Sequence, residues 1–325
     1  MERKIRIGIC GYGNLGKGVE SEISKNPDME LAAIFTRRDT AKTKSDVPVA
    51  RFDAVTEWED KIDVMILCGG SKSDLPIQGP VLAKSFNTVD SFDTHAKIPG
   101  YFDEVDKAAR SGNRVSIISI GWDPGLFSLL RLYAGSIIPE GRTYTFWGEG
   151  VSQGHSEAIR GIEGVIDAIQ YTIPVASAMD RVRNGENPEL TAREKHERVC
   201  YVVTAPDADD PEIEGKIKNM QDYFSDYNTT VHFISLEELK ANHYKMKHGG
   251  NVIHIGKTGN GNKQVIEFSL KLESNPEFTS SVLVAFARAA YRLSETGETG
   301  ARTIFDIPPK LLAEADPGEL VRKLL

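Results

Sequence analysis

The sequence predicts an α/β fold in which a doubly wound parallel sheet is followed by an α+β domain with a mixed or antiparallel sheet. Three observations lead to this prediction. Apolar strand patterns alternate with helical patterns up to about residue 120, a glycine-rich turn follows the first strand, and longer alternating strands without intervening helices begin after residue 123. Alternation of strands and helices is typical of a parallel sheet with helices on both faces.

The first domain is expected over residues 1–122. Its first strand is indicated by Ile5, Ile7 and Ile9, and later strands by four apolar runs: LAAIF (31–35), VMILC (64–68), TVDSF (88–92) and VSIISI (115–120). Between the last two runs, apolar residues at helical spacing predict a helix that ends near Gly112.

The second domain is expected over residues 123–299. Five runs have the length and partial alternation of strands: TYTFWG, RVCYVV, TVHFIS, NVIHIG and QVIEFSLKLES. Two helices are expected to cover their sheet, one within HSEAIRGIEGVIDAIQY and one in FTSSVLVAFARAAYRLSETG, which Gly297 ends. The acidic segment 205–216 is predicted to be a solvated loop, and the tail could fold back on either domain.

Composition and charge argue against several classes of function. A net charge of −8 without a long basic patch argues against nucleic-acid binding. The apolar runs are far shorter than a membrane span, and the start of the chain lacks a signal-peptide pattern, so neither membrane insertion nor secretion is expected. The three scattered cysteines favour a reducing cytoplasm, and the scattered histidines predict no metal site.

A G-x-G-x-x-G motif follows the first strand and opens a helix: Gly11, Tyr12, Gly13, Asn14, Leu15 and Gly16. The first glycine permits a tight turn, the second lets a pyrophosphate approach the main chain, and the third lets helix and strand pack closely. The phosphates would face the free N–H groups at the start of the helix. The motif and its setting predict a Rossmann-type dinucleotide-binding domain; the alternative is a plain tight turn.

The end of the second strand predicts which dinucleotide binds. An NAD site usually places an acid there, but this chain has Thr36, Arg37 and Arg38, with no acid before Asp39. Two guanidinium groups and a hydroxyl suit a ribose 2′-phosphate, so NADP is predicted. The alternative is that both arginines are ordinary surface charges. Four small residues that end the VMILC strand are expected to line the cofactor path: Cys68, Gly69, Gly70 and Ser71.

Two further strand ends carry acids, Asp93 in SFDTH and Asp123 in GWDPG. Because the carboxyl ends of parallel strands meet at one edge of a sheet, both acids are expected near the nicotinamide. Acids beside a hydride acceptor suit a substrate with an ammonium group. The alternative is that each caps a following helix, and for Asp123, before Pro124 and Gly125, that alternative has equal weight.

The segment from Tyr144 to Ser156 is dense in aromatic residues, glycines and amides. Such a loop fits a ligand wall better than a core strand. The alternative is a strand end followed by a helix cap, and His155 is expected to serve only as that cap.

These motifs together resemble the meso-diaminopimelate dehydrogenase family from about residue 4 to the end of the chain. The runs that carry the resemblance include GYGNLGKGVE, FTRRD, SFDTHAKIP, GWDPG, SQGHS and KHGGNVI. The resemblance implies NADP-dependent oxidative deamination at the D-centre of meso-2,6-diaminopimelate, which yields L-2-amino-6-oxopimelate and ammonia. It also implies a cytoplasmic homodimer, and a first domain completed by about residues 300–325.

The resemblance also assigns site residues by motif match. Around the reacting D-centre it implies Asp93, Trp122, Asp123, Phe146, Trp147, Gln153 and Gly154. For the distal L-amino-acid end it implies Thr172, Arg198, His248 and Asn275, and for the cofactor it adds Ser91 and Phe92. Asp93 and Asp123 are the candidate catalytic acids. Two rival functions remain: a broader NADP-dependent D-amino-acid dehydrogenase, and a non-catalytic NADP-sensing protein.

Overall fold

The computed structural model of the protein describes residues 3–38, 40, 43 and 45–325. The chain forms two compact units. The first comprises Met1–Leu129 together with Pro276–Leu325, and the second comprises Leu130–Asn275. No helix in the described ranges is long and apolar enough to cross a membrane.

The strands and helices are numbered in chain order. The strands are β1 (Ile5–Cys10), β2 (Met29–Thr36), β3 (Val49–Arg51), β4 (Val64–Leu67), β5 (Asn87–Asp90), β6 (Val115–Ile117), β7 (Arg142–Trp147), β8 (Gly150–Val151), β9 (Val165–Pro174), β10 (His196–Thr204), β11 (Asn228–Phe233), β12 (His248–Thr258), β13 (Asn262–Leu272) and β14 (Gly300–Arg302). The helices are α1 (Asn14–Ile23), α2 (Leu75–Leu82), α3 (Ile98–Ser111), α4 (Leu126–Ile137), α5 (Gln153–Arg160), α6 (Ala176–Arg183), α7 (Ala192–Lys195), α8 (Asp210–Lys218), α9 (Leu236–Asn242), α10 (Asn275–Glu295) and α11 (Pro317–Leu324).

The first unit is built on a parallel sheet. Among the described residues it has seven strands in the order β14-β6-β5-β4-β1-β2-β3, and every paired neighbour runs parallel. The inner strands β4 and β5 are buried along their whole length, as expected for strands with helices on both faces. The predicted doubly wound α/β fold is confirmed.

The helix α10 belongs to the first unit, whereas the sequence suggested that it covers the second domain's sheet. Its residues Val282, Leu283 and Phe286 join the core formed by β1, β4 and β6. The buried Arg288 reinforces this packing, because its guanidinium pairs with the Asp28 carboxylate at 2.6 and 2.8 Å. The two units divide at 129/130 and 275/276, whereas the domain boundaries expected from the sequence are 122/123 and 299/300.

The second unit contains two sheets within its described residues. One has the strand order β11-β10-β9-β8 and is mixed, because β10 pairs parallel with β11 and antiparallel with β9. The other, β13-β12-β7, is antiparallel. The predicted mixed or antiparallel sheet is confirmed.

Two local expectations need correction or refinement. Within HSEAIRGIEGVIDAIQY the predicted helix is α5, which ends at Arg160; residues 161–164 form a turn, and the run continues as β9 from Val165. The prediction that the acidic segment 205–216 is a loop is wrong, because α8 begins at Asp210. The N-cap residue Asp209 accepts the N–H of Glu212 at 3.0 Å. Side-chain capping of this kind stabilises a helix start.

Candidate active site

The glycine-rich turn joins β1 to α1. Gly11 has φ +96°, and a Cβ there would lie 3.0 Å from the main-chain carbon of Cys68. A Cβ at Gly16 would overlap the carbonyl oxygen of Gly11, so both positions are restricted to glycine by the protein itself. A Cβ at Gly13 would meet nothing within 4 Å, so the space over this residue is open. The turn thus presents bare main chain and the first N–H groups of α1 to a ligand.

A cavity of about 520 Å³ opens over this turn. Nine of the predicted cofactor residues line it: Gly11, Tyr12, Gly13, Thr36, Arg37, Arg38, Cys68, Gly69 and Gly70. Five residues not predicted from the sequence complete its wall: Cys10, Phe35, Phe52, Asp74 and Gln78. The cavity has the size expected for a small-molecule site and lies at the carboxyl edge of the parallel sheet.

Six other predicted cofactor residues lie outside that lining. Asn14 and Leu15 begin α1, and Gly16 is buried against the turn. The Oγ of Ser71 accepts the N–H of Asp93 at 3.1 Å, which ties the loop after β4 to the loop after β5. Ser91 is half-buried, and Phe92 is a core residue whose ring stacks on Tyr101 at 4.2 Å, so that ring is not available to a ligand.

The far end of the cavity carries the residues predicted to select NADP. Thr36 is buried, and its Oγ1 accepts the N–H of Arg38 at 3.1 Å, while the side chains of Arg37 and Arg38 are exposed. Arg37 pairs with Asp74. This end presents two cations and a hydroxyl, the donors that a sugar phosphate needs.

The two candidate catalytic acids lie on loops that follow neighbouring strands. Asp93 is exposed three residues after β5, and the half-buried Asp123 lies between β6 and α4. Trp122 is buried, and its ring meets Phe127 edge-on at 5.3 Å. The carboxylate of Asp90, at the end of β5, accepts main-chain N–H groups from both loops: Phe92 at 2.9 Å and Ser119 at 3.1 Å.

In the second unit, the structure brings Thr172 of β9 and Arg198 of β10 together. They face each other in the antiparallel register, and Nη1 of Arg198 donates to Oγ1 of Thr172. The guanidinium carbon of Arg198 also lies 4.0 Å from the centre of the Tyr227 ring, a cation–π contact. Both Thr172 and Arg198 are buried, and burial lowers the pKa of the arginine. A buried cation with a hydroxyl beside it is a site for an anionic group.

Phe146 and Trp147 end β7 and differ in exposure. Phe146 is fully buried in the core beside Ile253, whereas the Trp147 side chain is exposed. The main-chain N–H of Trp147 donates to Nε2 of the buried His196 at 2.8 Å, and the two rings stack at 5.3 Å. Burial, reinforced by the nearby Arg198 cation, lowers the pKa of His196 to about 3, so its ring stays neutral and keeps accepting that bond.

The remaining predicted substrate residues lie around α5 and β12. Gln153 and Gly154 begin α5 and are exposed, and they line a second cavity of about 460 Å³ with Met246. His248 begins β12, with its Nδ1 2.8 Å from the N–H of Gly249, and Asn275 begins α10. His155 is not the cap expected from the sequence: it is the third residue of α5, the N-cap is Ser152, and the His155 ring pairs with Oγ of Ser152 at 2.8 Å.

Comparison with known proteins gives the family. Residues 121–274 match the family model described as "Diaminopimelic acid dehydrogenase C-terminal domain". The meso-diaminopimelate D-dehydrogenase of Ureibacillus thermosphaericus is 62% identical over 324 residues, which cover 99% of this chain and 99% of that protein. The chain belongs to the meso-diaminopimelate D-dehydrogenase family. The resemblance predicted from the sequence is therefore confirmed.

Solved structures of similar proteins agree with this assignment. The DAP dehydrogenase of C. glutamicum, in complex with DAP, matches with a TM-score of 0.94 at 42% identity and covers 100% of each chain. An engineered D-amino acid dehydrogenase bound to NADP⁺ matches with a TM-score of 0.88 at 41% identity, covering 99% of this chain and 100% of that one. The meso-diaminopimelate D-dehydrogenase fold thus extends over the whole chain.

Sequence reasoning missed four residues that hold the predicted ones in place: Asp74, Asp90, His196 and Tyr227. Asp90 had a usable signal, because it ends a strand pattern directly before the SFDTH motif. His196 and Tyr227 had no such signal, because their partners are distant in the sequence: His196 accepts the N–H of Trp147, and Tyr227 contacts Arg198.

Proposed function

We propose that this chain catalyses the reversible NADP-dependent oxidative deamination of meso-2,6-diaminopimelate at its D-centre. The products are L-2-amino-6-oxopimelate, which cyclises to tetrahydrodipicolinate, ammonia and NADPH. The observation that carries the proposal is identity of 62% over the full length with an enzyme named for this substrate. The geometry of both units supports it, and the reaction serves the synthesis of lysine and diaminopimelate.

The first unit supplies the dinucleotide site. The open main chain at Gly13 and the start of α1 fit a pyrophosphate, and Arg37 and Arg38 fit a 2′-phosphate. NADP⁺ held by these residues would supply the acceptor for the hydride from the substrate carbon. The small residues Cys68, Gly69, Gly70 and Ser71, with Ser91 and the main chain of Phe92, continue this site toward the acids.

Asp93 and Asp123 bind the ammonium group of the D-centre and remove its proton. Loss of that proton and of the hydride leaves a protonated imine, to which water adds; the nitrogen then leaves as ammonium, and a carbonyl group remains. The overall step consumes one water and releases one proton besides the hydride. Two carboxylates suit this work because one can hold the amine while the other takes up a proton.

The second unit binds the rest of the substrate. Thr172, Arg198, His248 and Asn275 offer the hydroxyl, cation, imidazole and amide groups that bind a carboxylate and an ammonium at the distal L-centre. Trp147, Gln153 and Gly154 of this unit are assigned to the D-centre, as is Trp122 of the first unit, and Phe146, which precedes Trp147, lies in the core. Recognition of a second amino-acid end explains why the substrate is a diacid with two amines.

The chain acts as a cytoplasmic homodimer in this proposal. Exposed apolar side chains support an interface between copies, among them Leu132, Tyr133 and Ile137 on α4. Light scattering after size-exclusion chromatography tests this directly, with a mass of twice 35.8 kDa expected.

The decisive experiment measures NADP⁺ reduction by absorbance at the nicotinamide band with several amino acids. We expect turnover with meso-diaminopimelate, none with the L,L isomer, and little with D-amino acids that lack a second amino-acid end. Comparable rates across D-amino acids would instead support the broader dehydrogenase. Binding of NADP⁺ without turnover of any amine would support the NADP-sensing alternative.

A further inference from the structure

Asp90 is a buried acid whose hydrogen bonds all come from neutral donors in the described structure. It ends β5 and is 1% exposed. Its Oδ1 accepts the N–H of Phe92 at 2.9 Å and that of Ser119 at 3.1 Å, and its Oδ2 accepts the hydroxyl of Tyr101 at 2.8 Å. Burial raises the pKa of this carboxyl to about 6, although the three hydrogen bonds oppose the rise. A carboxylate this deeply buried needs several donors.

The two N–H groups belong to the two loops that carry the candidate catalytic acids. Phe92 directly precedes Asp93, and Ser119 lies four residues before Asp123. The carbonyl oxygen of Asp90 also accepts the N–H of Ile120 at 2.8 Å. The second of these loops, which follows β6 and carries Asp123, is therefore bonded to Asp90 at two successive residues. One side-chain oxygen therefore links both loops to a single point on β5.

The second loop is held in a conformation that needs such a link. Ser119 has φ +58°, a left-handed conformation that residues other than glycine rarely adopt. Its own hydroxyl is buried and makes no hydrogen bond with the described residues. A conformation of this kind persists when surrounding contacts determine it, and these contacts are the bonds to Asp90.

Tyr101 fixes the orientation of the Asp90 carboxylate. It is a buried residue of α3, and its ring stacks on Phe92 at 4.2 Å. Its hydroxyl occupies Oδ2, which leaves Oδ1 to the two main-chain donors. A carboxylate accepts at both oxygens, whereas an amide that kept its oxygen at the Oδ1 position would need the Tyr101 hydroxyl to accept its N–H₂ instead of donating.

We propose that Asp90 is a positioning residue that fastens both acid-bearing loops and so sets the spacing of Asp93 and Asp123. The roles of those two acids rest on the proposed function. Asp90 itself is too buried to touch the substrate, so it acts through the main chain of the loops. Misplacement of a reacting group by about 1 Å can cost about a hundred-fold in rate.

The test compares Asp90→Ala, which removes the acceptor, with Asp90→Asn, whose amide oxygen can still accept both N–H groups. Asp63→Ala is the matched control, because Asp63 also accepts a main-chain N–H, that of Arg6 at 2.8 Å, but lies at the amino end of β4. For each variant, kcat and KM with meso-diaminopimelate, the Kd of NADPH by fluorescence, and hydrogen exchange of residues 91–94 and 118–123 are measured.

We expect Asp90→Ala to lower kcat about a hundred-fold, to leave the Kd of NADPH within about two-fold, and to speed exchange in both loops. Asp90→Asn should keep kcat within about ten-fold of the native chain, and Asp63→Ala should keep it unchanged. The proposal is overturned if Asp90→Ala lowers kcat no more than Asp63→Ala, or if Asp90→Asn loses as much as Asp90→Ala.

If Asp90→Ala does not fold, a milder variant tests whether Asp90 positions the two loops. Tyr101→Phe keeps the ring that stacks on Phe92 but frees Oδ2, and we expect kcat to fall about three- to ten-fold with NADPH binding unchanged. A native kcat in Tyr101→Phe would then overturn the proposal. The exchange measurement needs no substrate, so it tests the link even if the native chain fails to oxidise meso-diaminopimelate, which would refute only the proposed function.

Discussion

The guanidinium of Arg37 and the carboxylate of Asp74 form an ion pair with an N–O distance of 2.5 Å in the wall of the cavity over the glycine-rich turn. Asp74 also accepts the N–H of Gly70 at 3.0 Å, so the acid is fixed by the loop that follows β4. The arginine predicted to bind the 2′-phosphate thus already has an anionic partner. An incoming phosphate must share or displace that partner.

Arg37→Met should weaken NADP⁺ binding while sparing NAD⁺. Loss of a charge-assisted bond to the 2′-phosphate costs about 1.5–3 kcal/mol, so we expect the Kd of NADP⁺ to rise about ten- to a hundred-fold. NAD⁺ lacks the phosphate, so its Kd should stay unchanged or fall. Calorimetric titration of both dinucleotides measures this, and an equal loss for both would place the 2′-phosphate away from Arg37.

Asp74→Asn is the matched test on the acid side of the same pair. It removes a negative charge that competes for Arg37, and exposed ion pairs contribute about 0.2–1 kcal/mol. We therefore expect NADP⁺ to bind up to about five-fold more tightly at low salt, with the gain shrinking as salt is added. Weaker NADP⁺ binding in this variant would mean that Asp74 mainly orders Arg37.

Asp93→Asn should reduce turnover and spare dinucleotide binding. The amide keeps the shape of the side chain but can neither pair with an ammonium nor take up its proton, and such a loss costs about 10²–10⁴-fold in kcat. Asp103→Asn on the exposed face of α3 is the control and should behave as the native chain. Stopped-flow and steady-state assays give the rates, and unchanged turnover in Asp93→Asn would remove this acid from the mechanism.

The first unit was predictable because its signals are local. The glycines, the strand before them and the arginines after β2 lie within 38 residues and impose one conformation. The placement of α10 was not predictable, since its apolar stripe shows that it covers a sheet but not which one. The N-terminus of α8 was readable, because Asp209 followed by Asp210 and Pro211 is a helix-start pattern, but the acidic composition concealed it.

The site residues and the residues that hold them differ in how far sequence reasoning reaches. Charged and aromatic side chains at strand ends indicate chemistry by themselves. Asp90 and His196 instead act on main-chain N–H groups 29 and 49 residues away. A main-chain donor has no side-chain identity to recognise, so only the fold shows these contacts.

Arg198→Met should weaken binding of the diacid more than it slows the chemistry. The guanidinium donates to Thr172, and the proposed function assigns both residues to the distal end of the substrate, not to the reacting carbon. We expect the KM for meso-diaminopimelate to rise about ten- to a hundred-fold, with the Kd of NADP⁺ unchanged.

Two companion variants refine the Arg198 test. Arg198→Lys keeps the charge but not the planar fork, so it should recover only part of the affinity. Tyr227→Phe keeps the aromatic face under the guanidinium and should stay near native, whereas Tyr227→Ala should raise KM. A pure loss of kcat in Arg198→Met, with KM unchanged, would contradict binding of the distal end at this site.

His196 should make the protein less stable as the pH falls. Its pKa is lowered to about 3 in the folded chain, chiefly by burial, against about 6.5 when unfolded. Between these values the unfolded chain binds the extra proton, so stability declines from about pH 6.5 downward, by at most about 1.4 kcal/mol per pH unit for this group. His155, whose pKa burial lowers to about 4, acts in the same direction.

The variant His196→Gln tests whether protonation of His196 causes this loss of stability at low pH. The glutamine oxygen can accept the N–H of Trp147 but does not titrate, so the drop in Tm between pH 7.5 and pH 5 should be smaller than in the native chain. His95→Gln, at an exposed histidine, should leave that drop unchanged. Thermal unfolding followed by Trp fluorescence at fixed protein concentration measures it. A drop as large in His196→Gln as in the native chain would show that the acid sensitivity arises elsewhere, because a neutral side chain at this position has no proton to gain.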